Sequence, residues 1–475
     1  MILEQHYLDC LAQASYFIAD PEEGTAVVVD PRRDVDLYLE RAEHHGVTIR
    51  HVILTHFHAD FLAGHLELVA RTGATLHLGR RAVADYPFEA LSDGDVLALG
   101  KVRLEALETP GHTPESISIL VFDLEQSESA PHAVLTGDTL FIGDVGRPDL
   151  MASVGVTADE LGVMLYDSLR QKLMPLPPET IVYPGHGAGS ACGKNLSTDT
   201  SSTIGAQLAS NYALAEMPQG EFVELVTANL MPPPAYFPVT AGLNREEHAN
   251  LPDMLESALV ALNLEAFLAA RSKGAQVLDV RPGQAFKESH LAGSTNIGLG
   301  GKFASWAGTL LDLKRPIVLV AEPGQEREAA LRLGRIGLDK VIGYLDGGPQ
   351  ALPSDPSQVG GASQMDVAGV AVELASAGAE GDPRVLDVRT RGEFESGHVE
   401  GALHMPLAEL AARKGELRRD QRLFVCCKSG YRSMAAISML QADGFTNLVD
   451  TAGGFDAWLA ADLPVTGEQL GSCSA

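Results

Sequence analysis

Three groups of residues in this chain could do chemistry. The first are histidines and aspartates at the ends of short apolar runs. They are His56, His58 and Asp60 in Thr55-His56-Phe57-His58-Ala59-Asp60-Phe61, His112 in Thr109-Pro110-Gly111-His112, Asp138 in Thr136-Gly137-Asp138, and His186 in Tyr183-Pro184-Gly185-His186. Imidazole with carboxylate suits zinc, iron or manganese. A metal site needs donors far apart in sequence that converge at one sheet edge, and glycine in the turns lets backbone approach closely. The second group surrounds Cys427 in Cys427-Lys428-Ser429-Gly430-Tyr431-Arg432-Ser433. An apolar strand leads in and a helix follows, so the amides of Lys428, Ser429, Gly430 and Tyr431 can nest an anion at a helix N-terminus. That field favours the thiolate and makes Cys427 a nucleophile, with Arg432 as a fixed positive fork. Counted from Cys426 the spacing is C-x5-R, which fits a phosphate. Counted from Cys427 it is C-x4-R, which fits a persulfide sulfur and is the reading preferred here. Cys426 ends the strand and reads as buried and unreactive. The third group is Cys192, on the glycine-rich loop after His186, with Arg147 and Lys194. Cys192 either positions a substrate sulfur or has no chemical role. The two cations either anchor an anionic thiol carrier or are solvated surface charge.

Strands and helices must hold these groups in place. Residues 25–31 read as a strand ending in a turn, 50–54 as a strand, 35–45 as an amphipathic helix, and 62–72 as a helix stopped by Gly73. Pro232-Pro233-Pro234 and Pro238 mark the exit from the first domain as a stiff connector. Residues 251–268 then read as one helix. Beyond it the sequence repeats. Val277-Leu278-Asp279-Val280-Arg281 returns 108 positions later as Val385-Leu386-Asp387-Val388-Arg389, and Gly347-Gly348 returns as Gly453-Gly454. Counting back five residues from Arg327 puts Glu322 where the second copy has Cys427. A carboxylate cannot carry sulfane sulfur, so the first copy is expected to be inert. The implied domains are 1–245, 255–355 and 363–470.

At 475 residues the chain is too long for one core. Its 35 basic and 63 acidic residues give a net charge of −28. That field makes nucleic acid and anionic membranes poor partners. Five scattered cysteines fit a reducing compartment, and no segment reads as a signal peptide or membrane span. A cytoplasmic location is expected. A homo-oligomer is compatible with the sequence.

The histidine motif resembles the H-x-H-x-D-H signature of the metallo-β-lactamase superfamily, with Phe61 in place of the last histidine. Gly137-Asp138-Thr139-Leu140-Phe141, Gly146-Arg147-Pro148-Asp149 and the segment 186–194 resemble its persulfide dioxygenase branch, in particular fusions with rhodanese domains. Both repeats resemble rhodanese domains, which further favours Cys427 as the reactive thiol. The resemblance implies an α/β chain with a metallo-β-lactamase αββα sandwich followed by two rhodanese-like α/β domains. It implies one Fe(II) per chain on His56, His112 and Asp138, with His58, Asp60 and His186 orienting those ligands. The implied activity is O2-dependent oxidation of a low-molecular-weight thiol persulfide (of glutathione, coenzyme A or similar) to sulfite, with sulfane-sulfur transfer at Cys427 making or using thiosulfate. Two alternatives stand beside it: a zinc thioester hydrolase similar to glyoxalase II fused to a rhodanese, and a non-catalytic persulfide sensor.

Overall fold

The computed structural model describes residues 1–150, 155–228, 230–376 and 383–467, so Cys473 lies outside the described residues. The chain divides into two compact units, Met1–Asp253 with Gly334–Gly337, and Met254–Leu333 with Leu338–Ala475.

The first unit is built on two six-stranded sheets. One runs in sequence order: β1 (Ile2–Leu8), β2 (Gln13–Asp20), β3 (Thr25–Val29), β4 (Thr48–Ile53), β5 (Thr75–Gly79) and β6 (Glu89–Leu91). The other holds β7 (Val96–Leu99), β8 (Val102–Glu108), β9 (Ile117–Asp123), β10 (Ala133–Gly137), β11 (Ile181–Pro184) and β12 (Ser202–Thr203), also in sequence order. Both are mixed: β3, β4, β5 and β6 pair in parallel, as do β10 and β11, and the remaining neighbours are antiparallel. Successive strand residues face opposite ways, and β9 uses both faces. Ile119 and Val121 enter a core between the sheets with Tyr16, Ile18, Val27, Val29 and Ile53. Leu120 and Phe122 face outward onto Leu165, Leu169 and Leu173 of the helix Ala158–Ser168 and the turn after it. That helix begins with a capping box between Thr157 and Glu160. The sandwich with outer helices is therefore the predicted fold.

The second unit contains two five-stranded parallel sheets of one design. The first has the spatial order Ala261–Leu262, Val341–Leu345, Ile317–Val320, Gln276–Asp279, Thr295–Asn296. The second repeats it with Ser363–Met365, Leu448–Thr451, Leu423–Cys426, Arg384–Asp387, Leu403–His404. Each copy ties its Asp-x-Arg into a fork, Arg281 on Asp279 and Arg389 on Asp387. Each also stacks a histidine on a phenylalanine, His290 on Phe286 and His398 on Phe394.

Three expectations of secondary structure need correction. Residues 251–268 are two helices, Leu251–Ala258 and Leu264–Ser272, split by the edge strand Ala261–Leu262 and a new cap at Asn263. Pro238 does not mark an exit. It sits in the first turn of the helix Phe237–Leu243, where no N–H is needed, inside the first unit. The helix expected from residue 62 begins at His65, because the Ala63 N–H donates to the Asn244 side chain instead (2.9 Å). No described helix is long and apolar enough to cross a membrane.

Candidate functional site

Every histidine and aspartate singled out above lies just past the C-terminal end of β4, β8, β10 or β11, and all are buried. His56, His112 and Asp138 converge, with one donor atom from each lying within 4.8 Å of the others. His56 Nε2 is 3.7 Å and His112 Nε2 3.5 Å from Asp138 Oδ2. Their other nitrogens are committed, His56 Nδ1 to the Thr55 hydroxyl and His112 Nδ1 to the Arg147 carbonyl (both 2.9 Å). Asp138 Oδ1 lies 2.7 Å from His186 Nδ1, while Oδ2 is buried with no hydrogen-bond partner. A buried, unsatisfied carboxylate oxygen costs several kcal/mol, on the order of a lost charged hydrogen bond. A cation between the three donors would satisfy it, so these residues fit a metal ion. Burial pushes His56 and His112 below the usual imidazole range. Burial works against the Asp138 anion, but His186, His56 and His112 outweigh it and hold the carboxyl well below its usual range. Neutral imidazoles with an anionic carboxylate are the forms that bind metal.

The turns must be tight to bring the donors this close. Gly137 has φ +49°, and a Cβ there would meet the Thr55 side chain. A Cβ at Gly146 would collide with the Asp138 carbonyl oxygen.

Around the three donors, His186 lies between two carboxylates, with Nε2 2.9 Å from Asp60 Oδ2. Burial alone would lower its pKa, yet Asp138 and Asp60 hold it well above the usual value. His58 Nε2 reaches Asp30 Oδ1 (3.0 Å), and Phe61 packs on the His58 ring with centroids 4.3 Å apart. Sequence reasoning missed two residues here. Asp30, a non-glycine residue at φ 51°, accepts from the Thr55 N–H and hydroxyl as well as facing His58. Asn244 donates to the His58 and Phe61 carbonyls (both 2.8 Å), clasping the motif loop. A non-glycine residue in the left-handed region is strained unless its surroundings hold it there. Asp30 is held by these bonds.

In the second unit, Cys426 ends the strand Leu423–Cys426, and Cys427 begins the loop into the helix Tyr431–Ala442. The Gly430 N–H points at Cys427 Sγ (3.1 Å). The Cys427 and Lys428 carbonyls are held by the N–H groups of Phe455 and Asp456 (2.8 and 3.0 Å). This close approach requires glycine, because a Cβ at Gly454 would collide with the Cys427 carbonyl. Both thiols are buried, and burial pushes the Cys426 thiol well up, in line with an unreactive residue.

The family model "Metallo-beta-lactamase superfamily" matches residues 8–186, and "Rhodanese-like domain" matches 264–352 and 370–461. The chain joins a metallo-β-lactamase superfamily domain to two rhodanese-like domains. Among curated relatives, a hydroxyacylglutathione hydrolase of Polaromonas sp. is 36% identical over 178 residues, 36% of this chain and 61% of that protein. The mitochondrial persulfide dioxygenase ETHE1 of Bos taurus is 28% identical over 194 residues, 39% of this chain and 68% of that protein. The chain spans less than two thirds of the length of two of these hydrolases, 61% for Polaromonas sp. and 66% for Nitrosococcus oceani. A solved metallo-beta-lactamase from Staphylococcus aureus subsp. aureus COL aligns with TM-score 0.64 and 28% identity, over 72% of this chain and 98% of that one.

Within the metallo-β-lactamase domain, Arg147 and Lys194 are tied to the protein. Arg147 forks onto Asp149 (2.6 and 2.7 Å) and donates to the Met231 carbonyl (2.6 Å). Lys194 Nζ donates to the Leu225 and Ala228 carbonyls (2.9 and 2.6 Å). Cys192 is buried, and its sulfur joins Asp60 and His186 in a second group with donor atoms within 4.8 Å. Burial, then Asp60 and Asp138, push its thiol well up.

The register of the rhodanese-like sheets corrects the position assigned to Glu322. Asp279 pairs with Val320 and Asp387 with Cys426, so the counterpart of Cys427 is Ala321. Gly324 and Gly430, both at positive φ, confirm the alignment (92° and 108°). Glu326 then stands opposite Arg432, one residue before the Arg327 used as an anchor. The first rhodanese-like domain still has no thiol at that position.

Arg432 makes a two-pronged pair with Glu393 (both 2.7 Å). Burial would raise the Glu393 pKa, but the Arg432 bonds outweigh it and hold the carboxyl at about 2. A depressed folded-state value adds stability that is complete above the unfolded value near 4.5 and is lost as pH falls toward about 2. Glu393→Gln should therefore lower stability by about 1–2 kcal/mol at pH 7, discounted for partial exposure. The difference should narrow as pH falls below 4.5. Urea unfolding at pH 7 and at pH 3 checks both.

Proposed function

We propose that the chain is a bifunctional enzyme of sulfide detoxification: an iron-dependent persulfide dioxygenase joined to a sulfurtransferase. The observation that carries the reading is the convergence of His56, His112 and Asp138, two imidazoles and one carboxylate, with an orphaned carboxylate oxygen between them. That set matches non-haem iron sites, which keep positions open for O2 and substrate. The similarity to persulfide dioxygenases supports iron as the metal, and the paired rhodanese-like domains support sulfur transfer. The reaction would be R–S–SH + O2 + H2O → R–SH + H2SO3, in which the sulfane sulfur gives four electrons to O2. Iron would supply the redox chemistry and the binding positions for O2 and substrate sulfur. The protein's part is to hold the ligands. Thr55 and the Arg147 carbonyl fix the two imidazoles, and His186 fixes the carboxylate. His186, held between two carboxylates, would serve better as such a support than as a ligand to a second ion.

A second reading is favoured by the hydroxyacylglutathione hydrolase relatives, namely zinc-dependent thioester cleavage by metal-activated water. Metal content and O2 uptake separate the two. Protein purified anaerobically should hold about one iron per chain, three ligands completing a mononuclear set, and consume O2 when given glutathione persulfide or coenzyme A persulfide. Two tightly bound zinc ions with thioester cleavage would overturn the dioxygenase reading.

At Cys427 the proposed transfer is a displacement at sulfur. The thiolate attacks the sulfane sulfur of a donor such as thiosulfate, a new S–S bond forms, and sulfite leaves with the electron pair of the broken one. The reverse reaction, sulfite attacking the Cys427 persulfide, returns thiosulfate and the thiolate.

A further inference from the structure

Both rhodanese-like domains lie in one compact unit, and the thiol-free copy reaches the sulfur loop of the other. The Tyr431 hydroxyl donates to the Gly298 carbonyl (2.7 Å), and the Asn296 N–H donates to the Ser438 hydroxyl (2.9 Å). Phe286 shares an apolar core with Met405, Met434 and Ala435 of the second copy. Next to Phe286, Lys287 Nζ lies 3.2 Å from Asp450 Oδ2. Asp450 is 2% exposed. Its Oδ2 also accepts from Gln364 (2.8 Å), and its Oδ1 accepts from the Ser433 hydroxyl (2.7 Å). Ser433 Oγ lies 3.7 Å from Cys427 Sγ. Contacts thus run from Lys287 through Asp450 and Ser433 to the sulfur.

These residues are not part of the framework that the copies share. The Asp-x-Arg fork and the Phe–His stack occur in both copies, but Lys287, Ser433 and Asp450 do not. Lys287 matches Glu395 in the alignment that pairs His290 with His398. In the sheet register Ser433 matches Arg327 and Asp450 matches Tyr344. Among the described residues, this chain of contacts runs only toward the copy that carries the thiol.

We propose that Lys287 of the thiol-free copy is a positioning residue for sulfur transfer at Cys427, acting through Asp450 and Ser433. The inference rests on the proposed transfer at Cys427. A bare carboxylate beside Ser433 would hold the hydroxyl proton firmly and add a negative charge close to a sulfur that must itself become anionic. The Lys287 ammonium compensates that charge. Asp450 then grips the hydroxyl less tightly, and Ser433 can turn its proton toward the sulfur anion as it forms. No bond to the transferred sulfur involves Lys287, so it should affect the displacement step rather than donor binding.

The test is thiosulfate-to-cyanide sulfur transfer by the full chain, measured as kcat and KM for wild type, Lys287→Met, Lys287→Arg, Ser433→Ala and the Lys287→Met/Ser433→Ala double variant. Lys287→Met should lower kcat about tenfold with KM within about twofold, in the range of couplings between residues in one polar network. Lys287→Arg should keep at least about half of kcat. In the Ser433→Ala background, Lys287→Met should have no further effect, which separates positioning from a purely structural tie between the copies. Near-wild-type kcat in Lys287→Met, or an undiminished loss in the Ser433→Ala background, overturns the inference alone. If Lys287→Met does not fold, failure of Lys287→Arg to keep activity when folded to the wild-type Tm overturns it as well. A wild type whose transfer does not depend on Cys427 overturns this inference and the sulfurtransferase reading together.

Discussion

His112→Ala is expected to release the metal and abolish persulfide-dependent O2 uptake together. The two losses should coincide because one side chain serves the whole set. His112 Nε2 lies 3.5 Å from Asp138 Oδ2, and its ring is fixed by the Arg147 carbonyl, so it is held in the set. Two ligands remain, too few to retain a non-haem iron, and the iron content should fall from about one per chain to below about a tenth. The fold should survive, because the apolar core of the sandwich does not include His112. Metal analysis, O2 consumption and the thermal midpoint of the same preparation decide the matter. Iron retained with O2 uptake lost would make His112 a catalytic group rather than a ligand. Both retained would remove the metal assignment. Asp30 offers a graded comparison within the same experiment. It touches none of the three donors, but it holds Thr55, which holds His56. Asp30→Asn should weaken metal binding about 10–100-fold without eliminating it, as loss of an outer support does.

The proposed metal ligands and His186 are legible because strand, turn and donor are contiguous in sequence. Each of His56, His112, Asp138 and His186 follows an apolar run within a few residues, so local pattern alone places it at a sheet edge. Asp30 follows a strand in the same way, yet nothing local says that its carboxylate meets Thr55 and His58, 25 and 28 residues on. Asn244 clasps His58 from 186 residues away, and that contact has no periodic signature. The misplaced counterpart of Cys427 has a different cause. The charge of Arg327 matches that of Arg432, but a charged side chain at a helix start can sit on any face. The backbone is the firmer guide. Gly324 and Gly430 both occupy positive φ, which few other residues tolerate, and they fix the register that makes Ala321 the counterpart. The broken helix in 251–268 was readable in principle. Asn263 is a good N-cap, and its side chain accepts from the Ala266 N–H.

Cys427→Ser should consume O2 at a rate similar to wild type while releasing sulfite where wild type accumulates thiosulfate. In the proposed reaction, oxidation of a persulfide at the metal site would yield sulfite. Sulfite is a good acceptor of sulfane sulfur, and a persulfide on Cys427 is a good donor. Joining the two activities in one chain raises the effective concentration of each product near the other site, although a tether alone does not ensure direct transfer. The serine hydroxyl keeps the size of the side chain and leaves the loop's backbone bonds to Phe455 and Asp456 in place, so the loop should persist without a group that can carry sulfur. Glu322→Ala is the matched control. Glu322 is one residue past the position equivalent to Cys427 in the thiol-free copy, and its removal should leave the sulfite-to-thiosulfate ratio at the wild-type value. Chromatographic separation of sulfite and thiosulfate after thiol derivatisation, with excess glutathione persulfide and a protein-free blank for spontaneous exchange, gives the ratio directly. Equal ratios for Cys427→Ser and wild type would show that the two activities share a chain without sharing an intermediate. A changed ratio in Glu322→Ala would mean that the thiol-free copy takes part in the chemistry and not only in positioning it.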